Sequence, residues 1–280
     1  VPGDRTSVPV PCLPRTAGGP PVTGTFAPGT FTPWPGRGSK RRMLAAQAGT
    51  ELRLALRNGE QVLLTLLIPI VLLVGLATLD LLPLPQPRIA TAAPGVLALA
   101  VMSTAFTGQA IALGFDRRYG VLRRLAATAL PRWLLVAGRM VAVLGVVALQ
   151  LVVLGGLALG LGWRPEPAGL GWALLLIVLG CAAFGALGVL LGGSLRAEVV
   201  LAVANLVWFL LLVGGGIVIP LDRLPEPVAA VGAVLPSGAL AEGLRAALAT
   251  GAAPGIGPVL VLLAWAAVAS AVALRTVRLR

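Results

Sequence analysis

Residues 170–192 read LGWALLLIVLGCAAFGALGVLLG, without a single Asp, Glu, Lys or Arg. About 20 apolar helical residues cross the ~30 Å hydrocarbon core, because a backbone deprived of water must satisfy its polar groups within the helix. Five further stretches pass the same test: Gln61 to Leu82, Pro94 to Leu113, Leu134 to Leu161, Val199 to Ile219 and Ile256 to Leu274. The expectation is an all-α integral membrane protein with six transmembrane helices. Composition agrees: the 280 residues are 58% hydrophobic and 11% charged, against about 45–50% and 25% in soluble domains.

The net charge of +12 would suggest a nucleic-acid partner in a soluble chain. Here the positions of the charges decide otherwise. Counted near alternating span ends, 15 Lys and Arg fall on one side (Lys40, Arg41, Arg42, Arg53 and Arg57; Arg117 to Arg139; Arg196; Arg275 to Arg280). Only 4 fall on the other: Arg88, Arg164, Arg223 and Arg245. The positive-inside rule makes the first side cytoplasmic, with both termini inside a cell inner or plasma membrane. The positive charge follows topology, so no nucleic acid is expected as a partner. Trp133, Trp163 and Trp172 suit the aromatic belts, whereas Trp208 and Trp265 lie deeper and are read as packing residues.

Residues 1–42 are rich in Pro, Gly, Ser and Thr and are expected to form a disordered tail ahead of a membrane domain at 43–280. Met43 to Asn58 sets Leu44, Ala48, Leu52, Ala55 and Leu56 at helical spacing, with Arg53 and Arg57 on other faces. That pattern predicts an amphipathic interfacial helix. Between the last two spans, Gly214 to Gly216, Pro220, Pro225, Pro227 and Pro236 punctuate the chain. Leu240, Leu244 and Leu248 repeat there every four residues, with Glu242 and Arg245 on another side. Short helices resting on the outer membrane surface are expected before the last span.

Several chemistries are disfavoured. The chain has no histidine, and Cys12 and Cys181 form no metal-ligand spacing, so zinc and Ser-His catalysis lack their usual groups. No GxSxG or GxxxxGK[ST] sequence occurs, so the chain is no ATPase by itself. Within the spans only Asp80 and Arg139, both near ends, are charged. An ion-coupled transporter ordinarily carries embedded ionisable groups, which makes a secondary transporter the weaker alternative. Gly156 with Gly160, and Gly188 with Gly192, are small-xxx-small pairs that permit close helix approach.

The loop between the second and third spans carries more than anchoring charge. It runs Asp116-Arg117-Arg118-Tyr119-Gly120-Val121-Leu122-Arg123-Arg124-Leu125 and reaches Ala129-Leu130-Pro131. Val121, Leu122 and Leu125 form an apolar ridge between two Arg pairs, with a glycine break before and a proline after. A short amphipathic helix of this kind suits docking to a soluble partner.

With these features in order, the chain resembles the membrane subunits of type-2 ABC exporters, a permease family that includes the daunorubicin-resistance type and polysaccharide exporters. The likeness covers roughly Met43 to Arg280. Glu51-Leu52-Arg53 and Arg57-Asn58-Gly59-Glu60 leading into Leu67-Ile68-Pro69 are similar to the family's connecting helix and first span. Asp116 to Leu125 resembles its acidic/basic, glycine, Leu-basic-basic-Leu pattern, with Ala129 where proline is common, and Ile219 to Pro225 with Leu235-Pro236 resembles its outer loop.

The resemblance implies a permease that moves an apolar, amphipathic or lipid-linked substrate outward. It further implies two ABC ATPase subunits holding ATP and Mg, with no cofactor in this chain. A second permease subunit, in a homo- or heterodimer, and membrane lipid complete the assembly. Asp116 to Leu125 and the connecting helix, with Glu51, Arg53 and Arg57, would meet the ATPases. A noncatalytic membrane anchor or immunity-type interaction protein remains the alternative of another class.

Overall fold

In a computed structural model, residues 39–57, 59–79, 86–121 and 132–276 are described, and their regular structure is helical, with no strand among them. The helices are α1 (Lys40–Arg57), α2 (Gly59–Thr78), α3 (Arg88–Met102), α4 (Gln109–Arg118), α5 (Arg132–Gly160), α6 (Leu170–Ser194), α7 (Ala197–Gly214), α8 (Glu226–Val234), α9 (Pro236–Thr250) and α10 (Ile256–Thr276). A π-helical turn, Ser103–Gly108, fuses α3 and α4 into one helix of 31 residues. Among the described residues, five helices are long and apolar enough to cross a membrane. The α8–α9 pair adds a sixth only if its 93° bend is a broken span.

The spans therefore differ in detail from the sequence expectation. The second runs Arg88–Arg118, longer at both ends than Pro94 to Leu113. The first falls on α2, whose apolar part, Thr65–Thr78, is short, and Asp80 lies outside the described residues. Residues 1–38 also lie outside them, whereas Lys40, Arg41 and Arg42 already belong to α1.

The centre of the bundle is α3. Ala92 to Met102 are buried on every face, as expected of a helix without a polar stripe, and α2, α5, α6 and α9 pack around it. Lipid tails are as apolar as leucine, so close packing replaces the hydrophobic effect in holding such helices together. Glycines provide that approach. Gly188 on α6 sits so close to the π-turn that an added Cβ would lie 2.8 Å from the Phe106 carbonyl oxygen, and Gly192 lies against the Ala110 carbonyl. This small-xxx-small pair is thus an interface within the chain. Gly156 and Gly160 have open space around them.

α1 uses its amphipathic pattern against protein. Ala48 is buried, and Leu52 and Gln47 fit over Gly145 and Gly138 of α5, so α1 and the first half of α5 run in the same direction. Leu56, expected on the apolar face, is instead 42% exposed.

At the opposite end α7 stops early. Gly214 to Gly216 terminate it, Gly216 with φ +63°, a left-handed conformation that favours glycine. The following Ile217 carbonyl lies against Gly95, seven residues into α3, roughly 10 Å short of that helix's start at 1.5 Å per residue. α9 fills the space left. Leu240 packs on Gly180, and Ala247 on Gly169 beside the α6 start. The leucine stripe expected to rest on a surface is thus buried among α3, α6 and α10.

Candidate functional site

α4 ends where the sequence places a break. Tyr119 donates its amide to the Phe115 carbonyl, and Gly120 adopts φ +68°, the αL position that favours glycine just past a helix. Tyr119 is 66% exposed, with its ring stacked near that of Phe115. Val121 is half-buried, while Leu122, Arg123, Arg124 and Leu125 lie outside the described residues.

The charged residues just before this break are tied to three different helices. Asp116 Oδ2 accepts a 2.7 Å hydrogen bond from Arg139 Nη1 of α5, forming a partly buried ion pair. Arg117 Nη1 donates to the carbonyls of Gly192 (3.1 Å), Gly193 and Leu195 (3.3 Å) at the end of α6. Those carbonyls have no partner within their own helix, and a cation is favoured beside the negative end of the helix dipole. Arg118 pairs with Glu198 in the first turn of α7. Three consecutive side chains therefore join one helix end to α5, α6 and α7. The resemblance assigns the whole of Asp116 to Leu125 to the ATPase contact, but Asp116 and Arg117 are spent on internal partners.

Asp116 and Arg139 also line a cavity of about 390 Å³ bounded by α1, α2, the π-turn, α4 and α5. Glu51 enters from α1, its Oε1 accepting from Gln47 Nε2 at 3.0 Å. Gln109 accepts from Arg139 Nε at 2.7 Å. At the deeper end Thr104 Oγ1 donates to Gln150 Oε1 (2.8 Å), and Gln150 Nε2 donates to the Thr65 carbonyl (3.4 Å). Glu51 and Asp116, read from separate sequence motifs, are thus brought to one cavity. Arg53 and Arg57 face solvent or lipid.

Two polar side chains within the spans, Thr104 and Gln150, are paired. Gln150 is 1% exposed and Thr104 9%. Their signal was the cost of a polar side chain in the middle of an apolar span, which a partner must offset. Asn205, by contrast, donates to the Leu201 carbonyl of its own helix. Trp208 Nε1 donates to Ser103 Oγ at the π-turn, and Trp265 Nε1 to the Val234 carbonyl, so both deeper tryptophans join helices as their packing reading suggests.

A second polar cluster, at the opposite end, escaped sequence reading. Arg245 of α9 donates to Glu242 Oε1 (2.6 Å) and to the Ile217 carbonyl (2.7 Å), while Glu242 Oε1 also accepts from the Leu221 amide (3.1 Å). The pair satisfies backbone groups freed where α7 breaks. Its i,i+3 spacing looked like a solvated face, yet the Arg245 side chain is only 11% exposed.

Comparison with protein families matches residues 46–249 to the ABC-2 type transporter membrane domain. The match spans most of the chain, from within α1 to the last turn of α9, and the chain belongs to that family. It is the multi-pass membrane permease component of an ABC transporter, which works with an ABC ATPase subunit. Comparison with curated proteins gives no match.

Proposed function

We propose that this chain is an exporter permease of the daunorubicin-resistance type, with both termini cytoplasmic. Two such subunits, identical or not, pair in the membrane, and two ATPases holding ATP and Mg dock beneath them. The coupling segment is Asp116 to Leu125, with α1 beside it. The observation that carries this reading is the three-way tie at the α4 end: a push on Tyr119 and Gly120 is transmitted at once through Asp116 to α5, Arg117 to α6 and Arg118 to α7. Stiff helices joined in this way move as a body, which suits ATP-driven rocking of one permease half against the other.

Arg123 and Arg124, next along the segment, are assigned to acidic groups on the ATPase, with Val121, Leu122 and Leu125 filling an apolar groove on it. The substrate is apolar, amphipathic or lipid-linked and moves outward. The test is affinity purification of the tagged protein from its host in detergent, followed by ATP-driven transport in proteoliposomes. A stoichiometric ABC ATPase is expected, lost on Arg123→Glu with Arg124→Glu in a correctly inserted protein. Unchanged ATPase recovery and transport in that variant would remove the docking assignment. Repeated recovery of intact protein without any ATPase would favour the noncatalytic anchor.

A further inference from the structure

The second span changes neighbours at its π-turn. Before the turn α3 packs most extensively on α9 and α2, whereas after it α4 packs on α6 and α7. α4 is also held at both ends by the same three helices. At the π-turn, Thr104 donates to Gln150 of α5, the Ala105 and Phe106 carbonyls lie against Gly188 of α6, and Ser103 accepts from Trp208 of α7. At the far end, roughly 18 Å along at 1.5 Å per residue, Asp116, Arg117 and Arg118 meet α5, α6 and α7 in the same order. α4 is thus fixed to those helices, while α3 sits buried on every face with its Gly95 against the Ile217 carbonyl.

The backbone between these two parts is loosened. In a regular α-helix each N–H donates to the carbonyl four residues back. Here the Ser103 N–H is shared between the Leu99 and Ala100 carbonyls, and the Gln109 N–H donates to Phe106, three residues back, with the π-turn's wider register between them. A π-turn holds one residue more than the α-turn it interrupts, so its N–H groups can pass from the fifth carbonyl back to the fourth without losing an acceptor, and the helix bends as they do so. The turn also carries the hydroxyls of Ser103, Thr104 and Thr107, side chains that re-satisfy backbone groups freed at breaks in membrane helices. Among the described residues the buried Thr107 hydroxyl has no partner, and the carbonyl four residues back, that of Ser103, is the acceptor a threonine in a helix ordinarily uses.

We infer that Ser103–Gly108 is the flexion point of the second span: α4 swings with the adjoining parts of α5, α6 and α7 against α3, and the turn absorbs the swing by exchanging π for α hydrogen bonds. A push at Tyr119 and Gly120 then bends the span at the turn instead of driving α3 through its enclosed seat. The flexing stands on the geometry of the turn, and its use in an ATP-driven cycle rests on the permease reading.

The experiment is amide hydrogen exchange, read by mass spectrometry, on the full chain with its co-purified ATPase in phosphatidylcholine nanodiscs, first without nucleotide and then trapped with ATP and vanadate. Amides of residues 104–109 are expected to exchange about tenfold faster than those of residues 96–102 in the resting protein, since a loosened ladder opens locally, and to change again on trapping. Deletion of Thr107 removes the extra residue and keeps both flanks in register. It should bring the turn to the protection of α3 and cancel the response to trapping. Turn amides as protected as residues 96–102 in the parent chain would overturn the flexion point whether or not the deletion variant folds, and so would equal exchange in parent and folded variant. Exchange unchanged by trapping, with ATPase present, would overturn its part in the cycle and leave the permease reading intact. Fast exchange in the turn, suppressed by the deletion, in preparations without ATPase would support the flexion point and remove only the exporter arrangement.

Discussion

Arg139 of α5 and Asp116 of α4 meet in a 2.7 Å ion pair with side-chain exposures of 17% and 31%, joining the end of the second span to the start of the third. Neither residue is deep enough to be lost to desolvation nor exposed enough to be worth nothing. Asp116→Asn should lower stability by about 1–3 kcal/mol, between the values for surface and buried pairs. The exchange Asp116→Arg with Arg139→Asp should recover part of the loss. Thermal unfolding in detergent measures both, and additive effects of the two single changes would show the pair to be uncoupled.

Arg117 caps the end of α6 through three carbonyls. Arg117→Ala should cost about 1–2 kcal/mol from the lost charged hydrogen bonds and dipole interaction. The loss should appear locally, as faster amide hydrogen exchange over residues 190–196. Protection unchanged there, with the protein otherwise folded, would show that water replaces the side chain.

The two glycine pairs of the sequence should separate sharply. Gly192→Val places side-chain atoms against the Ala110 carbonyl, and Gly188→Val against that of Phe106. Overpacking of this kind typically costs about 1–3 kcal/mol. Gly156→Ala has open space and should be neutral or stabilising, since alanine is the better helix former by about 1 kcal/mol. Melting temperatures of the three variants decide it, and a destabilising Gly156→Ala would point to a partner on that face.

Glu242 and Arg245 hold the broken end of α7 against α9. Arg245→Met leaves the Glu242 carboxylate and the Ile217 carbonyl short of a donor, a loss of about 3 kcal/mol by analogy with other buried pairs. Removing both charges, in Glu242→Gln with Arg245→Met, should be less damaging than the sum of the single changes. Unfolding free energies in a double-mutant cycle give the coupling.

The membrane class was legible because bilayer thickness imposes a length that composition alone can satisfy, and the stretch at 170–192 does so without help from any neighbour. The break after α4 was also legible, because Gly120 supplies a left-handed residue just where the apolar run ends. The early end of α7 was less so. Residues 199–219 carry no charge and one polar side chain, Asn205, and only the three consecutive glycines hinted that the helix stops at Gly214.

By itself, then, the sequence determined that the chain is built of apolar helices of membrane-spanning length, and which residues of the α4 end resemble a coupling segment, since these depend on local hydropathy, charge and turn chemistry. Tertiary structure decided which charges are free. Arg117, Asp116 and Arg245 have the same sequence appearance as solvated surface residues, and their roles exist only because α6, α5 and the broken end of α7 bring unpaired carbonyls, an opposite charge and freed backbone groups within about 3 Å, the reach of a hydrogen bond. The meeting of Glu51 with Asp116 at one cavity follows from the same cause. The neighbours of Glu51 in space come from α4 and α5, more than 50 residues away in the chain, a separation over which no periodicity carries information.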